Sequence, residues 1–349
     1  MNLRKLYSTH RIATLSAAAA LFLLLLIGIS AYISLFGTHY RTEKDTYIYI
    51  DRNDTPDSVL AKISATGSAS NLRTLRMLMK YRDYQVRTGR YEIANGENNF
   101  HLFRTLSAGR QAPLMLTIGS PRTVYQLAKS LGSQLMADSA SIASLMDDTA
   151  YVASLGYTTE TLPALFVPNS YEVYWDIAPK DLFARLRKEH DAFWKQKGRE
   201  ETARAMGMTP EQVATLASIV DAETNYAPEK PRVAGLYLNR LHSGMKLQSD
   251  PTVIFAIGDF SIRRVGGKQL AHPSPYNTYK HNGLPPGPIR IAGIQGIDAV
   301  LQAEKHDYLY MCAKEDFSGS HRFASSWAEH SRNAALYQRA LSKRNIELK

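Results

Sequence analysis

The chain has 349 residues, of which 44% are hydrophobic, and its formal net charge is +10. This length and composition suit two or three packed domains and exclude wholesale disorder. The single cysteine, Cys312, excludes an intramolecular disulfide and a cysteine metal cluster. The positive charge could attract an anionic polymer, but the sequence contains no recognisable nucleic-acid-binding motif, and no nucleic-acid partner is predicted.

A long apolar segment lies close to the N-terminus. Residues 12–36 contain no charged side chain and exceed the ~20 residues that a helix needs to cross a bilayer. Three basic residues lie within residues 1–11, and none follows the segment before Arg41. The positive-inside rule predicts a cytoplasmic tail, a single transmembrane helix and an extracytoplasmic remainder. A cleaved signal peptide is the alternative, but its apolar region would be only ~7–15 residues long.

Residues 37–118 show a strand–helix–helix–strand pattern. Strands are predicted at residues 47–50 and 88–93, and Thr55-Pro56 is typical of a helix start. A second helix is predicted at residues 72–81. The opening, YIYIDRNDTPDSVLAKI, is similar to the start of LysM glycan-binding modules and predicts a small LysM-like α+β domain. A generic α+β domain without a ligand is the alternative.

Residues 119–349 are predicted as a second, helix-rich domain of mixed α/β type. Helices are predicted at residues 123–131, 141–146, 180–197, 231–241, 293–304 and 326–341. Asp250-Pro251 is typical of a helix start, with Asp250 as the N-cap and proline at the first helical position. Residues 308–313 are predicted as a strand, with a hairpin partner at residues 322–323. The whole chain is therefore predicted as an α+β protein that begins with a transmembrane helix.

One further helix carries the candidate for catalysis. Thr209-Pro210 followed by Gln212 predicts a helix start with a capping box. Apolar side chains then recur at helical spacing: Val213, Leu216, Ala217 and Val220. Glu223 falls at the edge of this stripe, where poor solvation would raise its pKa as a general acid requires.

Two neighbouring features bear on this interpretation. Asp221 projects ~160° away from Glu223 at ~100° per residue, so the two are not expected to form a catalytic dyad. The competing interpretation makes Glu223 a helix-end carboxylate that forms a salt bridge with Arg232 or Arg240.

Residues 273–289 contain five prolines and two glycines, which predicts a fixed loop. The loop carries aromatic, amide and hydroxyl side chains that suit a sugar polymer: Tyr276, Asn277, Thr278 and Tyr279. A rigid surface loop whose aromatic rings pack inward is the alternative.

Five segments are together typical of one family: LASIVDAET (216–224), VAGLYLNRL (233–241), KLQSDPTVIFAIG (246–258), YNTYKHNGLPPGPI (276–289) and GSHRFASSWAEH (319–330). Through them the chain resembles the endolytic murein transglycosylases, the YceG-like or MltG group. The resemblance covers essentially the whole chain. It implies that residues 119–349 are the catalytic domain and that Glu223, the last acid of the helix motif, is the catalytic residue.

The chain departs from the family pattern at three places. Asp221 replaces the usual glutamate of the helix motif, and we assign it no catalytic role. Asn169 stands where an acid is common, and residues 289–296 lack the usual Asn-Pro-Gly. These departures weaken any role given to local loop shape, but not the role of Glu223.

The resemblance implies cleavage of the bond between N-acetylmuramic acid (MurNAc) and N-acetylglucosamine (GlcNAc), giving 1,6-anhydro-MurNAc ends and terminating nascent strands. The implied partners are peptidoglycan glycan strands, the inner-membrane bilayer and peptidoglycan synthases, with no cofactor and no metal. The implied substrate-binding residues are Gln248, Asp250, Tyr276, Asn277, Thr278 and Tyr279.

Three alternatives differ in chemistry. A hydrolytic muramidase would use a second acid, such as Asp250 or Glu172, to activate water. A non-catalytic peptidoglycan-binding membrane protein would hold glycan without cutting it. A zinc enzyme is a third possibility because the chain has ten histidines, including His321 and His330, but they show no H-E-x-x-H spacing.

Overall fold

The computed structural model describes the backbone of residues 3–343 and the side chains of residues 13–343. The chain divides into two compact units, Met1–Leu114 with Glu172–Asp176 and Met115–Tyr171 with Ile177–Lys349. Both units combine helices with short strands, and the predicted helix-rich α+β class is confirmed.

The first unit contains four helices and two strands in chain order: α1 (Leu3–Phe36), β1 (Thr46–Ile50), α2 (Pro56–Ala65), α3 (Arg73–Tyr81), β2 (Gly89–Ile93) and α4 (Asn99–Ser107). β1 and β2 pair antiparallel, with Ile48 opposite Tyr91. Both side chains are buried in a core that includes α2, α3 and α4. α2 starts where predicted, because Thr55 and Ser58 form a capping box.

The predicted transmembrane segment forms part of one continuous helix, α1. Its segment Ala13–Phe36 is the one candidate among the described residues that is long and apolar enough to cross a membrane. The side chains of this segment are not buried within the protein, although they are strongly apolar. Such a surface is expected of a helix surrounded by lipid.

The remaining elements follow in chain order: β3 (Leu114–Ile118), α5 (Val124–Gly132), α6 (Ser139–Asp147), α7 (Thr149–Ser154), β4 (Asn169–Val173), α8 (Pro179–Lys195), α9 (Arg199–Ala205), α10 (Pro210–Glu223), α11 (Lys230–His242), α12 (Asp250–Ile257), α13 (Gly267–Leu270), α14 (Ile294–Leu301), β5 (Tyr310–Ala313), β6 (His321–Ala324) and α15 (Trp327–Lys343). β3 forms a two-stranded sheet with β4, and β5 forms another with β6. Three short helices, α7, α9 and α13, lie outside the predicted pattern.

The core of the second unit surrounds α10. The sequence predicts one apolar stripe on this helix, but every residue from Val213 to Asp221 is buried. The buried surface of α10 is wider than the predicted stripe, because α11, α12 and α14 all pack against the helix. Small residues permit this enclosure; Ser218, for example, donates its hydroxyl to Thr215 and accepts the backbone N–H of Ile289 at 3.0 Å.

Candidate active site

Glu223 is the last residue of α10 and stands where this buried helix reaches the surface. The helix begins with the predicted capping box, in which Thr209 and Gln212 each accept the other's backbone N–H. The side chain of Glu223 is partly exposed, whereas the helix before it is enclosed. A rigid helix therefore holds this carboxyl group at a boundary between core and solvent.

Two hydroxyl groups donate to the same carboxylate oxygen of Glu223. Tyr237 of α11 donates to Oε1 at 2.7 Å, and Ser249 donates to Oε1 at 2.5 Å. Oε2 receives no hydrogen bond from the described part of the chain. Because Oε1 is occupied by two donors, Oε2 is the oxygen that can carry a proton toward a ligand.

Neither arginine considered as a salt-bridge partner pairs with Glu223. Arg232 donates to both carboxylate oxygens of Glu304, at 3.0 and 3.1 Å. Arg240 donates to the backbone oxygen of Leu309 at 2.6 Å. The salt-bridge interpretation of Glu223 is therefore wrong, and two hydroxyl groups, not arginines, contact this carboxylate.

The pKa of Glu223 is raised above its ordinary value, and burial is the largest cause. Hydrogen bonds from Ser249 and Tyr237 act in the opposite direction, because they stabilise the ionised form. The charge of Asp250 raises the pKa further, and the charge of His321 lowers it. A carboxyl group with a raised pKa can hold a proton nearer neutral pH, as a general acid must.

A network of hydroxyl groups fixes Ser249 next to Glu223. The backbone N–H of Ser249 donates to the hydroxyl of Thr278 at 3.0 Å. Thr252 donates its hydroxyl to the backbone oxygen of Ser249 at 2.7 Å and lies 2.8 Å from the Thr278 hydroxyl. Since all three residues are buried, the network fixes the backbone of Ser249, whose hydroxyl donates to Glu223.

The start of α12 differs from the prediction, which gives Asp250 as the N-cap. Ser249 is the N-cap, and its side chain makes no capping hydrogen bond. Its hydroxyl donates to Glu223. Gln248, the residue before it, has a φ of 54°, in the left-handed region that non-glycine residues seldom occupy. The chain thus adopts an uncommon turn where it presents Ser249 to the carboxylate.

Asp250 and Tyr279 form a second polar pair close to Glu223. The Tyr279 hydroxyl donates to Oδ1 of Asp250 at 2.6 Å. Burial, followed by this bond and the charge of Asp250, raises the pKa of Tyr279, so the phenol remains a neutral donor. Both residues are partly exposed. The charge of Asp250 therefore acts on Glu223, and solvent can reach both Asp250 and Tyr279.

The structure places the remaining predicted binding residues in two environments. Gln248 is exposed, and its side-chain oxygen accepts a hydrogen bond from Arg240 at 3.2 Å. Tyr276 is partly exposed and packs against Phe255 with ring centroids 4.9 Å apart. Burial raises the pKa of Tyr276 to about 12. These two side chains retain surface that a ligand can reach.

Asn277 and Thr278 are buried instead. Asn277 is fully enclosed and donates to the backbone oxygens of Leu270 and His272, at 3.0 and 2.7 Å. Thr278 is 1% exposed and belongs to the network that holds Ser249. These contacts hold the loop in place. Their burial disfavours the prediction that these two side chains bind sugar directly.

Asp221 has partners of its own. Its Oδ1 lies 2.5 Å from the ammonium of Lys230, and its Oδ2 accepts the backbone N–H of Gly293 at 2.7 Å. A Cβ on Gly296 would lie 2.6 Å from the same carboxylate, so a glycine is needed there. Asp221 therefore joins α10 to the start of α11 and to α14, which agrees with giving it no catalytic role.

His321 is oriented by a buried carboxylate. Its ring Nδ1 lies 2.8 Å from Oε2 of Glu229, and its backbone N–H donates to Oε1 at 2.8 Å. The side chain of Glu229 is buried, and the charge of His321 acts on Glu223. Within residues 13–343, no group of three or more histidine, cysteine or acidic side chains is arranged to hold a metal ion.

A cavity of about 220 Å³ opens at the C-terminal end of α10. Ala222 and Asn225, which lie one residue before and two residues after Glu223, line this cavity together with Arg122 and Phe260. The Arg122 guanidinium lies 5.1 Å from the centre of the Phe260 ring. The cavity therefore offers an aromatic face and a cation near the end of α10, and Glu223 itself does not line it.

Two residues of the site, Tyr237 and Ser249, are absent from the sequence prediction. Both lie in segments that carry the family resemblance, VAGLYLNRL and KLQSDPTVIFAIG. The signal for Tyr237 is its hydroxyl in an otherwise apolar helix stretch, because a buried phenol needs a hydrogen-bond partner. For Ser249, the signal is a hydroxyl directly before Asp-Pro, which marks a helix start.

The chain is similar to several known proteins. A solved structure of a YceG-like protein from Listeria monocytogenes matches with a TM-score of 0.58 and 26% identity, covering 83% of this chain and 99% of that one. The endolytic murein transglycosylase of Bacillus subtilis (strain 168) is 40% identical over 126 residues, which are 36% of this chain and 34% of that protein.

The endolytic murein transglycosylase of Streptococcus pneumoniae (strain D39) is 26% identical over 292 residues, covering 73% of this chain and 52% of that protein. The chain thus spans about a third to a half of the length of these relatives. The family profile described as the YceG-like family matches residues 48–336, which is most of the chain. The protein belongs to the YceG-like family.

Proposed function

We propose that the protein is a lytic transglycosylase that cleaves peptidoglycan glycan strands, with Glu223 as both general acid and general base. One observation carries this proposal: a partly exposed carboxyl group with a raised pKa, fixed through Oε1 by two hydroxyl donors. The name of the relatives from B. subtilis and S. pneumoniae, endolytic murein transglycosylase, supports the same activity.

The reaction needs one proton donor that later accepts a proton. Protonated Glu223 donates from Oε2 to the oxygen that links MurNAc to GlcNAc, and the bond from that oxygen to C1 of MurNAc breaks. The resulting carboxylate takes the proton of the C6 hydroxyl of the same MurNAc, and the C6 oxygen bonds to C1. Because this hydroxyl is already attached to the reacting sugar, it has a proximity advantage over water.

Asp250 has a place in this mechanism because its charge acts on Glu223. Positive charge develops at C1 as the bond breaks, and a nearby carboxylate stabilises it. Tyr279 orients Asp250 through the bond at 2.6 Å. We propose that Gln248, Tyr276 and Tyr279 contact the glycan, and that Asn277 and Thr278 position the loop that carries them.

The mass of the product tests the proposal against its nearest alternative. Asp250 is also the residue that would activate water in a hydrolytic muramidase. We expect purified protein to release fragments with 1,6-anhydro-MurNAc ends, one water lighter than hydrolytic products, in mass spectra of digested glycan strands. Reducing MurNAc ends as the main product would show that water is the nucleophile and that the protein is a muramidase.

The pH dependence of cleavage reports on the bond from Ser249. Cleavage requires protonated Glu223, so activity is present below the pKa of this residue and is lost as pH rises through it. The pKa lies above the ordinary 4.5. Replacing Ser249 by Ala removes a hydrogen bond that stabilises the carboxylate, so the pKa rises further. We therefore expect the alkaline limb of the kcat/KM profile to move to higher pH in Ser249→Ala.

The matched control is Ser261→Ala, which removes an exposed serine hydroxyl that bonds only to Asp259 among the described residues. Its alkaline limb should coincide with that of the unmodified protein. An unchanged limb in Ser249→Ala, or a shift to lower pH, would mean that this hydroxyl does not stabilise the ionised form of the catalytic group.

We propose a single-pass arrangement in the inner membrane. Residues 1–11 form the cytoplasmic tail, residues 12–36 span the bilayer, and residues 37–118 and 119–349 form two extracytoplasmic domains. The exposed apolar surface of Ala13–Phe36 supports the span, and the basic tail supports the orientation. Cleavage beside the membrane suits termination of strands as synthases make them.

The first unit offers a separate surface for glycan. Tyr49 is 43% exposed, and its ring lies 5.1 Å from that of Trp175, edge to face. Exposed aromatic rings can stack on the C–H faces of sugars. We propose that this pair gives the first unit, which contains most of residues 37–118 and also Trp175, a LysM-like ability to bind peptidoglycan. The test is a pull-down on isolated cell walls, in which Tyr49→Ala should reduce retention while Tyr125→Ala should not.

A further inference from the structure

A groove of about 450 Å³ runs between α3 and the last turns of α1 in the first unit. Ala31, Ser34 and Leu35 line it from α1. Residues of α3 form the facing wall: Arg73, Thr74, Met77, Leu78 and Tyr81. The groove therefore joins the apolar helix of the protein to a helix of the folded unit.

The end of α1 is fixed against the first unit. The Phe36 ring lies 5.3 Å from that of Phe100 in α4, and the ring Nε2 of His39 lies 2.8 Å from the backbone oxygen of Ser34. These contacts hold the last turns of α1 and the folded unit together. The depth of α1 in a membrane consequently sets the depth of the groove.

Helix α3 has two contrasting faces. Leu75 and Met79 are buried in the core, whereas Met77 is 65% and Tyr81 is 85% exposed. Met77 and Tyr81 are four residues apart and so lie on the same side of the helix. These two large side chains form an exposed apolar stripe on α3, next to the last turns of α1. The stripe can be buried only in an apolar environment.

Basic residues flank this stripe. Arg73, Arg76 and Lys80 are all exposed, and none of them forms an ion pair with another residue of the described chain. The helix contains no acidic residue. An apolar stripe bordered by unpaired cations on one amphipathic helix is typical of a helix that lies in the surface of a membrane.

The length of α1 places this helix at the level of the lipid headgroups. The segment Ala13–Phe36 has 24 residues, which make a helix of about 36 Å. The hydrocarbon core of a bilayer is about 30 Å thick, so about one turn of the segment extends into the interface. That turn lines the groove, and Tyr32 and Tyr81 then lie where tyrosine is enriched in membrane proteins.

We propose that α3 docks on the surface of the bilayer that α1 spans, on the side of the folded units. Met77 and Tyr81 enter the interface, and Arg73, Arg76 and Lys80 bind the phosphates of anionic phospholipids. This inference rests on the proposed membrane anchor and goes beyond it, because it fixes the first unit against the membrane. The bilayer is the occupant of the groove because one wall is the membrane-spanning helix itself.

Fluorescence quenching by lipids tests this proposal on the full chain in lipid nanodiscs. Cys312 is replaced by Ala, and an environment-sensitive dye is attached at Met77→Cys. Separate preparations carry the dye at Leu24→Cys within the span and at Ser64→Cys, an exposed position on α2 that does not line the groove. The nanodiscs contain phosphatidylglycerol and lipids with a spin label either near the headgroup or deep in the acyl chain.

We expect the dye at position 77 to lose most of its fluorescence with the shallow spin label and little with the deep one. The dye at position 24 should respond to the deep label, and the dye at position 64 to neither. Replacing Arg73, Arg76 and Lys80 together by Gln should remove the dependence of the position-77 signal on phosphatidylglycerol.

The possible failures are distinguishable. If position 24 is quenched and position 77 is not, the anchor stands and the docking of α3 is wrong. If position 24 is not quenched, the anchor fails and the docking proposal fails with it. Equal quenching at positions 77 and 64 would show that no particular face docks. Disulfide-linked dimers through unlabelled position 77, with no quenching by lipid, would assign the groove to a second copy of the chain.

Discussion

Replacing Glu223 by Gln is expected to lower the rate of glycan-strand cleavage by about 10²–10⁴-fold, the contribution typical of general acid–base catalysis. The amide has nearly the shape of the acid, and its oxygen can still accept the hydroxyl hydrogens of Tyr237 and Ser249. It cannot deliver a proton to the glycosidic oxygen. The fold should therefore persist while formation of 1,6-anhydro ends is lost.

Mass spectrometry of digested glycan strands measures this loss, and thermal unfolding shows that the variant is folded. The matched control is Glu211→Gln in the first turn of the same helix, ~18 Å from Glu223 along the axis at 1.5 Å per residue. It should cleave at the unmodified rate. Anhydro products from Glu223→Gln at a rate close to that of the control would remove Glu223 from the mechanism.

Local chemistry made the helix of the site predictable. Thr209, Pro210 and Gln212 define the start of α10 through contacts within four residues, so the start could be predicted from the sequence alone. The same holds for α2 and its cap at Thr55. Helical spacing also predicted that Asp221 and Glu223 point in different directions, and their separate partners agree with this.

Contacts between distant segments were not predictable in the same way. Ser249 and Tyr237 lie 26 and 14 residues from Glu223, and only the packing of three helices brings them to one oxygen. The prediction of Asp250 as an N-cap is wrong, because the N-cap is Ser249, and its hydroxyl donates to Glu223 instead of capping α12. Local propensity cannot register such competition.

The loop at residues 273–289 shows why composition alone overestimates a binding site. Asn277 and Thr278 were predicted to read sugar hydroxyls because they are polar and lie beside tyrosines. A loop without regular structure must satisfy its own backbone groups, and buried amides and hydroxyls serve this need equally well. Asn277 donates to two backbone oxygens of the chain around the loop. Polarity therefore did not distinguish a ligand contact from an internal one.

Replacing Asp221 by Ala is expected to lower the free energy of unfolding by about 3–5 kcal/mol, the usual cost of removing one partner of a buried ion pair. The side chain of Lys230 is only 12% exposed, and its ammonium would lose the carboxylate that lies 2.5 Å away. The backbone N–H of Gly293 would lose its acceptor as well. Denaturant unfolding, followed by the fluorescence of buried Trp194, measures the change.

The exposed pair of Arg232 and Glu304 provides the matched control, because its side chains are 44% and 41% exposed. Glu304→Ala should cost no more than about 1 kcal/mol, as exposed ion pairs usually do. Replacing Lys230 by Met in addition to Asp221→Ala should restore part of the lost stability, because no buried charge is then left unpaired. Equal costs for Asp221→Ala and Glu304→Ala would contradict a structural role for the buried pair, and Asp221 would return as a candidate for the chemistry beside Glu223.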